Sequence, residues 1–253
     1  MRVTVLGVGP AFPKKGGATS GYLVTSDGSA LLVDCGTGVV SNLQRHVDYH
    51  QVTAIIISHM HADHFLDLIP YRYGLKYAPY GRHWTRPCLY LPPGGCSVLK
   101  QVVTPFSDAP DFFGEVFQVA EYEPCVSLQV DGLAVRFTRT RHPVPAYAMS
   151  IEAQGRRMAY SADSAPTESL VTAARDADLF ICEAGLQRRE QDAPGGAHLT
   201  PSEAGAIAAR AGVRRLLLTH LWQEFNQDQM LREARDAFGG PVDLAIENAS
   251  YEV

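Results

Sequence analysis

The chain has 253 residues, a length that fits one large α/β domain or two fused halves. Its composition, 46% hydrophobic and 19% charged, is that of a globular protein and excludes disorder. With 22 Lys and Arg against 27 Asp and Glu, the net charge of −5 argues against a dedicated nucleic-acid coat. The opening is β-rich. Arg2 to Gly7 reads as a strand rather than a signal peptide. Gly21 to Thr25 and Ala30 to Asp34 read as a hairpin, turned at Ser26-Asp27-Gly28-Ser29 because Asp-Gly supplies positive φ. Thr53 to Ser58 holds Ala54-Ile55-Ile56-Ile57, an apolar, largely β-branched run expected of a strand buried on both faces. After His64 the pattern turns helical through Phe65, Leu66, Leu68 and Ile69, with Pro70 expected to bend it. Leu89 to Leu91 is a short strand, and Ser97 to Val103 a helix.

The second half follows the same style without repeating the sequence. Leu133 to Thr138 is a strand, Ala148 to Ala153 and Arg157 to Ser161 a hairpin around Gln154-Gly155, and Glu168 to Arg175 a helix. Leu179 to Cys182 and Arg215 to Thr219 are buried strands. Between them, Thr200-Pro201-Ser202-Glu203 is a capping box with Pro at the first helical position, and Gly212 closes that helix. A last helix carries Met230, Ala234 and Phe238 and stops at Gly239, and Asp243 to Ile246 is the final strand. No run approaches the roughly 20 apolar residues of a membrane span, and no Pro/Gly/Ser linker divides the chain. One α/β domain, residues 1–253, built of two similar halves (roughly 1–105 and 106–253), is therefore expected. The five cysteines, Cys35, Cys88, Cys96, Cys125 and Cys182, are scattered and odd in number, as expected of small, buried, reduced side chains in a cytoplasmic protein.

Histidine carries the chemistry. Of nine, three fall in His59-Met60-His61-Ala62-Asp63-His64, directly after the apolar strand. Imidazole and carboxylate suit zinc, manganese or iron. Four such donors cannot all serve one tetrahedral ion and leave it open for chemistry, but they can be divided between two ions about 3.5–4 Å apart. Further donors stand at or just past the ends of other strands: His142, Asp163 and His220. Sites collect at the C-terminal ends of strands in α/β folds. His198 stands two positions before the N-cap Thr200, beside a helix N-terminus that favours anions, and Glu183 ends another apolar strand from which it could orient His198. His46, His50 and His83 match no motif and read as surface residues, while Arg141 and Tyr147 flank His142 closely enough to face a substrate.

Together these motifs resemble the metallo-β-lactamase superfamily, and within it the ribonuclease Z-like phosphodiesterase branch. The resemblance begins at Leu32-Val33-Asp34-Cys35-Gly36-Thr37-Gly38 and runs through the H-x-H-x-D-H signature, His142, Asp163, His198-Leu199-Thr200 and His220, all in family order. It implies an αββα four-layer sandwich with a dinuclear site at one edge. It assigns His59, His61 and His142 to one metal, Asp63, His64 and His220 to the other, and Asp163 to the bridge. Zinc is the first choice of ion, with manganese or iron as alternatives. Asp34 supports the loop by hydrogen bonding. A hydroxide between the ions would attack, with Asp63 steering its proton, and His198 would contact the scissile phosphate and assist the leaving group.

Sister branches hydrolyse lactones, thioesters and β-lactams on the same metal core, and a non-catalytic sensor is the reading from another class. The complete donor set speaks against the sensor, and His198 speaks for a phosphate. Ribonuclease Z proper carries a long arm, inserted after the third-motif histidine, that grips tRNA. Only 20 residues separate His142 from Asp163, which leaves no room for it. The 77 residues between His64 and His142, with Tyr71, Tyr73, Trp84 and Phe106, are expected to form a packed cap over the site. The expected partner is thus a small phosphodiester, cyclic or nucleotide-derived, without stable nucleic-acid or membrane binding. The resemblance also admits a homodimer.

Overall fold

Strands that are apolar on both faces need cover on both faces, and the chain supplies it in four layers. A computed structural model describes residues 1–78, 85–192 and 196–253. The first sheet contains β1 (Arg2–Gly7), β2 (Gly21–Ser26), β3 (Ser29–Val33), β4 (Ala54–Ile56), β5 (Cys88–Leu91) and β6 (Gln118–Glu121), side by side in that order. β1 to β3 are antiparallel and β3 to β6 parallel. The second sheet contains β7 (Leu128–Val130), β8 (Leu133–Arg139), β9 (Tyr147–Ala153), β10 (Arg156–Tyr160), β11 (Leu179–Glu183), β12 (Leu216–Thr219) and β13 (Val242–Leu244), again in order. It is antiparallel as far as β10 and parallel beyond. The chain changes sheet between Glu121 and Leu128, and β14 (Ser250–Glu252) crosses back to pair with β1.

Three apolar layers separate these elements. Between the sheets lie Val5, Tyr22, Val33 and Ile56 from one side and Phe137, Met149, Ile151 and Ile181 from the other. Outside the first sheet, Leu32, Ile55 and Leu89 pack under α1 (Val39–Leu43), α2 (Ala62–Phe65), α3 (Leu68–Tyr77) and α4 (Gly95–Val103). Outside the second, Phe180, Leu216 and Leu218 pack under α5 (Glu168–Ala174), α6 (Pro201–Ala211) and α7 (Gln227–Phe238). This is the expected four-layer αββα sandwich.

The capping box at α6 forms as read: the Thr200 hydroxyl accepts from Glu203 N–H, the Glu203 carboxylate accepts from Thr200 N–H, and Gly212 closes the helix at φ 68°. Other expectations need correction. Pro70 does not bend a helix. The break falls earlier, at Leu66–Asp67, and Pro70 sits in the first turn of α3, where no N–H is required. The segment after His64 is no cap either. Its strands β5 to β8 belong to the two sheets, and Tyr71, Phe112 and Phe117 fill the outer layer of the first sheet. Trp84 and His83 lie outside the described residues. Cys35 and Cys182 are buried and Cys88 half-buried, but Cys96 and Cys125 are exposed.

α6 and α7 cross at Gly205, where an added Cβ would stand 2.4 Å from the Ala234 carbonyl oxygen and 3.0 Å from the Ala237 Cβ. A helix-favouring Gly205→Ala change should therefore destabilise the protein, by about 1–3 kcal/mol. For a chain of this size that lowers Tm by roughly 2–12 °C in a thermal melt. A raised Tm would show that helix propensity outweighs the close approach.

Candidate metal centre

Every donor singled out in the sequence sits past the C-terminal end of a strand, and all of them meet at one edge of the sandwich. His59 follows β4, and His61 caps α2 with extended backbone and no side-chain capping bond, so its ring is available to the cluster. Asp63 and His64 ride on α2 itself, while His142 follows β8, Asp163 follows β10 and His220 follows β12 directly. The donor atoms fall into two groups that share Asp163: His59, His61, His142 and Asp163, and Asp63, His64, Asp163 and His220. Within each group all donors lie within 4.8 Å of one another.

The spacing of the donors is that of a coordination shell. Four ligands at about 2.0–2.1 Å from a tetrahedral ion stand about 3.3–3.4 Å from one another. Here His61 Nδ1 and His142 Nε2 are 3.0 Å apart, and His59 Nε2 and Asp163 Oδ2 3.8 Å. His64 Nε2 stands 3.3 Å from Asp63 Oδ2 and 3.4 Å from Asp163 Oδ1, and His220 Nε2 is 3.5 Å and 3.4 Å from the Oδ2 atoms of the same two carboxylates. Of the buried side-chain polar atoms without a hydrogen-bond partner among the described residues, His59 Nε2, His64 Nε2 and Asp163 Oδ1 face this space. An unsatisfied buried polar atom costs about 1–3 kcal/mol. Two divalent ions would satisfy all three, so the residues present fit a metal pair.

The opposite ring nitrogens are committed to the protein, and this sets the tautomers. His64 Nδ1 bonds Asp34 Oδ2 at 2.7 Å, and His142 Nδ1 bonds the Ala197 carbonyl at 3.0 Å. His59 Nδ1 bonds the Ser58 hydroxyl at 3.0 Å, and that hydroxyl donates to Asp34 Oδ2. In each ring the bonded Nδ1 carries a proton, so Nε2 is the atom left to face the site; in His59 and His142 it presents a lone pair there. Burial holds His59 and His61 below the ordinary imidazole range and lowers His142 to about 4, so these three are neutral near pH 7. His64 differs. Burial works against its charge, but Asp163 and Asp34 push its pKa well above the usual value in the metal-free protein.

His198 and Glu183 adjoin the cluster. His198 Nδ1 lies 3.1 Å and 3.2 Å from the two Glu183 oxygens. Burial alone would lower the His198 pKa, but the bond to Glu183 and its charge push it up to about 9. Glu183 is itself held by the backbone N–H groups of Ser164, Gly185 and Leu199. Glu183, His198 and His220 could form a third donor group. With those bonds made, Glu183 has little left for an ion.

The cluster floors a cleft of ≈ 830 Å³, whose wall includes Leu186, Trp222 and Phe225. Neither Arg141 nor Tyr147 lines it. Tyr147 is buried between the sheets, edge-on to Tyr122, and its hydroxyl accepts from Arg139. Exposed His46 bonds Asn248, and His50 pairs with Asp48, both outside the cleft. Two residues at the site belong to no sequence motif: Tyr160, whose hydroxyl donates to Asp34 at 2.9 Å, and Trp222 in the cleft wall. The only available sign was position: Tyr160 ends a strand and Trp222 stands two residues past His220.

Comparison with known proteins bears on the family. A family model described as a beta-lactamase superfamily domain matches residues 29–221. The chain is 34% identical over 259 residues to the probable metallo-hydrolase YhfI of Bacillus subtilis, with 100% of each chain covered. The crystal structure of YhfI superposes with a TM-score of 0.87 at 32% identity, covering 99% of both chains. A ribonuclease Z of Haloarcula marismortui is 29% identical over 304 residues, covering 100% of this chain and 97% of that one. The crystal structure of the short form of human tRNase Z shares the fold, with a TM-score of 0.77, 23% identity, and 100% and 99% coverage.

Because His64 holds a proton where an ion would bind, metal loading should release about one proton near pH 7. The raised pKa sets the sign: the proton competes below it, so metal affinity rises with pH across neutrality. Calorimetric titration in buffers of different ionisation enthalpy measures the number. No release, with affinity independent of pH, would show that His64 is neutral before metal arrives.

Proposed function

The chain belongs to the beta-lactamase superfamily, and from that premise we propose that it is a metal-dependent hydrolase of small phosphodiesters, cyclic or nucleotide-derived. In this reading His59, His61 and His142 hold one divalent ion, Asp63, His64 and His220 hold a second, and Asp163 joins them. Zinc is the first choice, with manganese or iron as alternatives. When bound, such a pair acidifies water and takes up negative charge on a reacting phosphate. Asp63, between His64 and His220, orients the attacking water.

The observation that carries the reading is the His198–Glu183 pair. With Nδ1 committed to Glu183, the imidazolium has its Nε2 proton left to give to a leaving oxygen. A phosphodiester needs this, because an alkoxide leaves poorly without a proton, whereas the thiolate of a thioester leaves without one. His198 also lies before the N-terminus of α6, where anions are favoured.

The cleft supports a small substrate. Its described lining contains Glu224 and neither Lys nor Arg, so nothing there neutralises a second or third phosphate of a nucleic-acid strand. The residues between His142 and Asp163 are used by β9, β10 and their turns, which leaves no chain for an RNA-gripping arm. All five cysteines are unpaired, which fits the cytoplasmic setting proposed for the protein. No helix among the described residues is long and apolar enough to cross a membrane.

His198→Ala should retain both metals and lose roughly 10²-fold or more in turnover of a phosphodiester with an alkoxide leaving group, the scale of a lost general acid. Loss of the metals in that variant would make His198 a ligand instead. Glu183→Gln should move the alkaline limb of the pH–rate profile to lower pH by about one unit or more, because the carboxylate that raises the His198 pKa is gone. An unmoved limb would detach Glu183 from the chemistry.

A substrate panel tests the reading itself. Metal-loaded protein is expected to cleave bis-(p-nitrophenyl) phosphate in preference to thioesters and lactones, and to process precursor tRNA poorly. Efficient, site-specific cutting at a tRNA 3′ end would establish the ribonuclease reading in its place.

A further inference from the structure

The cleft has a wall as well as a floor, and one aromatic residue of that wall belongs to none of the three apolar layers. Trp222 lies in the loop between β12 and α7, two positions past His220. The loop backbone is anchored: Leu221 N–H donates to the Val8 carbonyl at 2.9 Å, and Phe225 N–H to the Trp222 carbonyl at 3.2 Å. Leu221 is buried, and Phe225 packs against the layer under α5 to α7. Trp222 is different. It is half-buried, belongs to none of the three apolar clusters, and makes no ring contact or side-chain hydrogen bond among the described residues. It lines the cleft, beside Leu186, Phe225, Pro10 and Ala11, and also a neighbouring cavity beside Leu221 and Leu231.

A half-buried indole in the lining of a reaction cleft offers a ligand a large apolar surface. The charge around it narrows what that ligand can be. Glu224 stands on the same wall, the described lining has neither Lys nor Arg, and its one cation, His198, is paired with Glu183, so an additional anionic group is disfavoured there. A neutral, flat group is favoured, because stacking on an aromatic ring uses the whole face.

We propose that Trp222 is a specificity-determining platform on which a nucleobase stacks while its phosphodiester lies over the metal centre. The inference rests on the phosphodiesterase reading above and deepens it, since it makes the substrate a nucleotide rather than any small diester. Stacking reads the π-face and not the base edges. Adenine and guanine substrates should therefore bind alike, and both better than pyrimidines, which offer less area.

The test is equilibrium binding by calorimetry to the metal-loaded protein, with adenosine monophosphate and ribose 5-phosphate as probes. Base stacking is worth about 1–3 kcal/mol, so the nucleotide should bind about 5- to 150-fold more tightly than the sugar phosphate. Trp222→Ala should bring the nucleotide to the level of ribose 5-phosphate and leave ribose 5-phosphate and metal content as they were. Trp222→Phe should keep most of the difference. Equal binding of the two probes by the unmodified protein, or a nucleotide affinity untouched by Trp222→Ala, would overturn the platform and leave the phosphodiesterase reading standing. Equal weakening of both probes would make Trp222 a structural residue. Tighter binding of octyl phosphate than of the nucleotide would make the wall an acyl-chain site. If neither probe nor inorganic phosphate binds, the phosphate reading fails first, and the platform falls with it.

Discussion

Asp34 is fully buried, and its carboxylate accepts four hydrogen bonds: from Ser58 N–H, the Ser58 hydroxyl, the His64 ring and the Tyr160 hydroxyl. An isolated charge in that position would be costly, and this one is tolerated because each bond satisfies it. Two of those bonds set candidate metal donors, His64 directly and His59 through Ser58. A third comes from Tyr160 at the end of β10, in the other sheet. One carboxylate thus aligns two imidazoles and ties the two sheets together where the donors of both meet.

Its surroundings are built to the same tolerance. The loop after Asp34 lies against α2: Cys35 N–H donates to the His64 carbonyl at 2.7 Å, and the Thr19 hydroxyl to the Asp63 carbonyl at 2.8 Å. A Cβ on Gly36 would stand 1.9 Å from the Asp63 carbonyl oxygen, so only glycine lets the loop come this close to the donor helix. Backbone strain gathers here too. Asp34, Ala162 and His220 all have positive φ, at 58°, 50° and 60°, and each is a donor, a supporter of one, or the neighbour of one. Such conformations persist only where surrounding contacts enforce them, and the hydrogen bonds to Asp34 and the sheet pairing on either side do so.

The candidate site was more legible in the sequence than the fold around it. His59 to His64 announces itself because donor density is a local property, and His142, Asp163 and His220 because each sits at or just past the end of a strand. Glu183 and His198 were legible for the same reason, one ending a strand and the other preceding a capping box. What escaped was whatever depends on the partner across a gap. β6, β7 and β14 are only three or four residues long, and β14 (Ser250-Tyr251-Glu252) has no apolar run. Their strand character comes from pairing with β5, β8 and β1. The supposed cap failed likewise: aromatic residues between His64 and His142 signal burial, but not against which face. Tyr160 and Trp222 look like core residues in the sequence, and only position separates them. Tyr160 reaches a carboxylate 126 positions away, whereas Trp222 makes no side-chain hydrogen bond or ring contact among the described residues.

The loop after β12 joins these two outcomes. His220 ends the strand with left-handed backbone, and this sharp turn sends its ring toward the donors of the first sheet while the next residues run along the cleft wall. The same three residues therefore place a candidate metal donor, a buried anchor and a half-buried indole in sequence: His220, Leu221 and Trp222. Because Leu221 is pinned to Val8 at the end of β1, the distance from the donor to the indole is set by the sandwich and not by a mobile loop. A substrate that reached both would be measured against a rigid frame, its phosphate over the shared Asp163 and its flat group on the wall. A cleft framed in this way would favour affinity through preorganisation, because Leu221 and the sheet edge fix the wall relative to the floor.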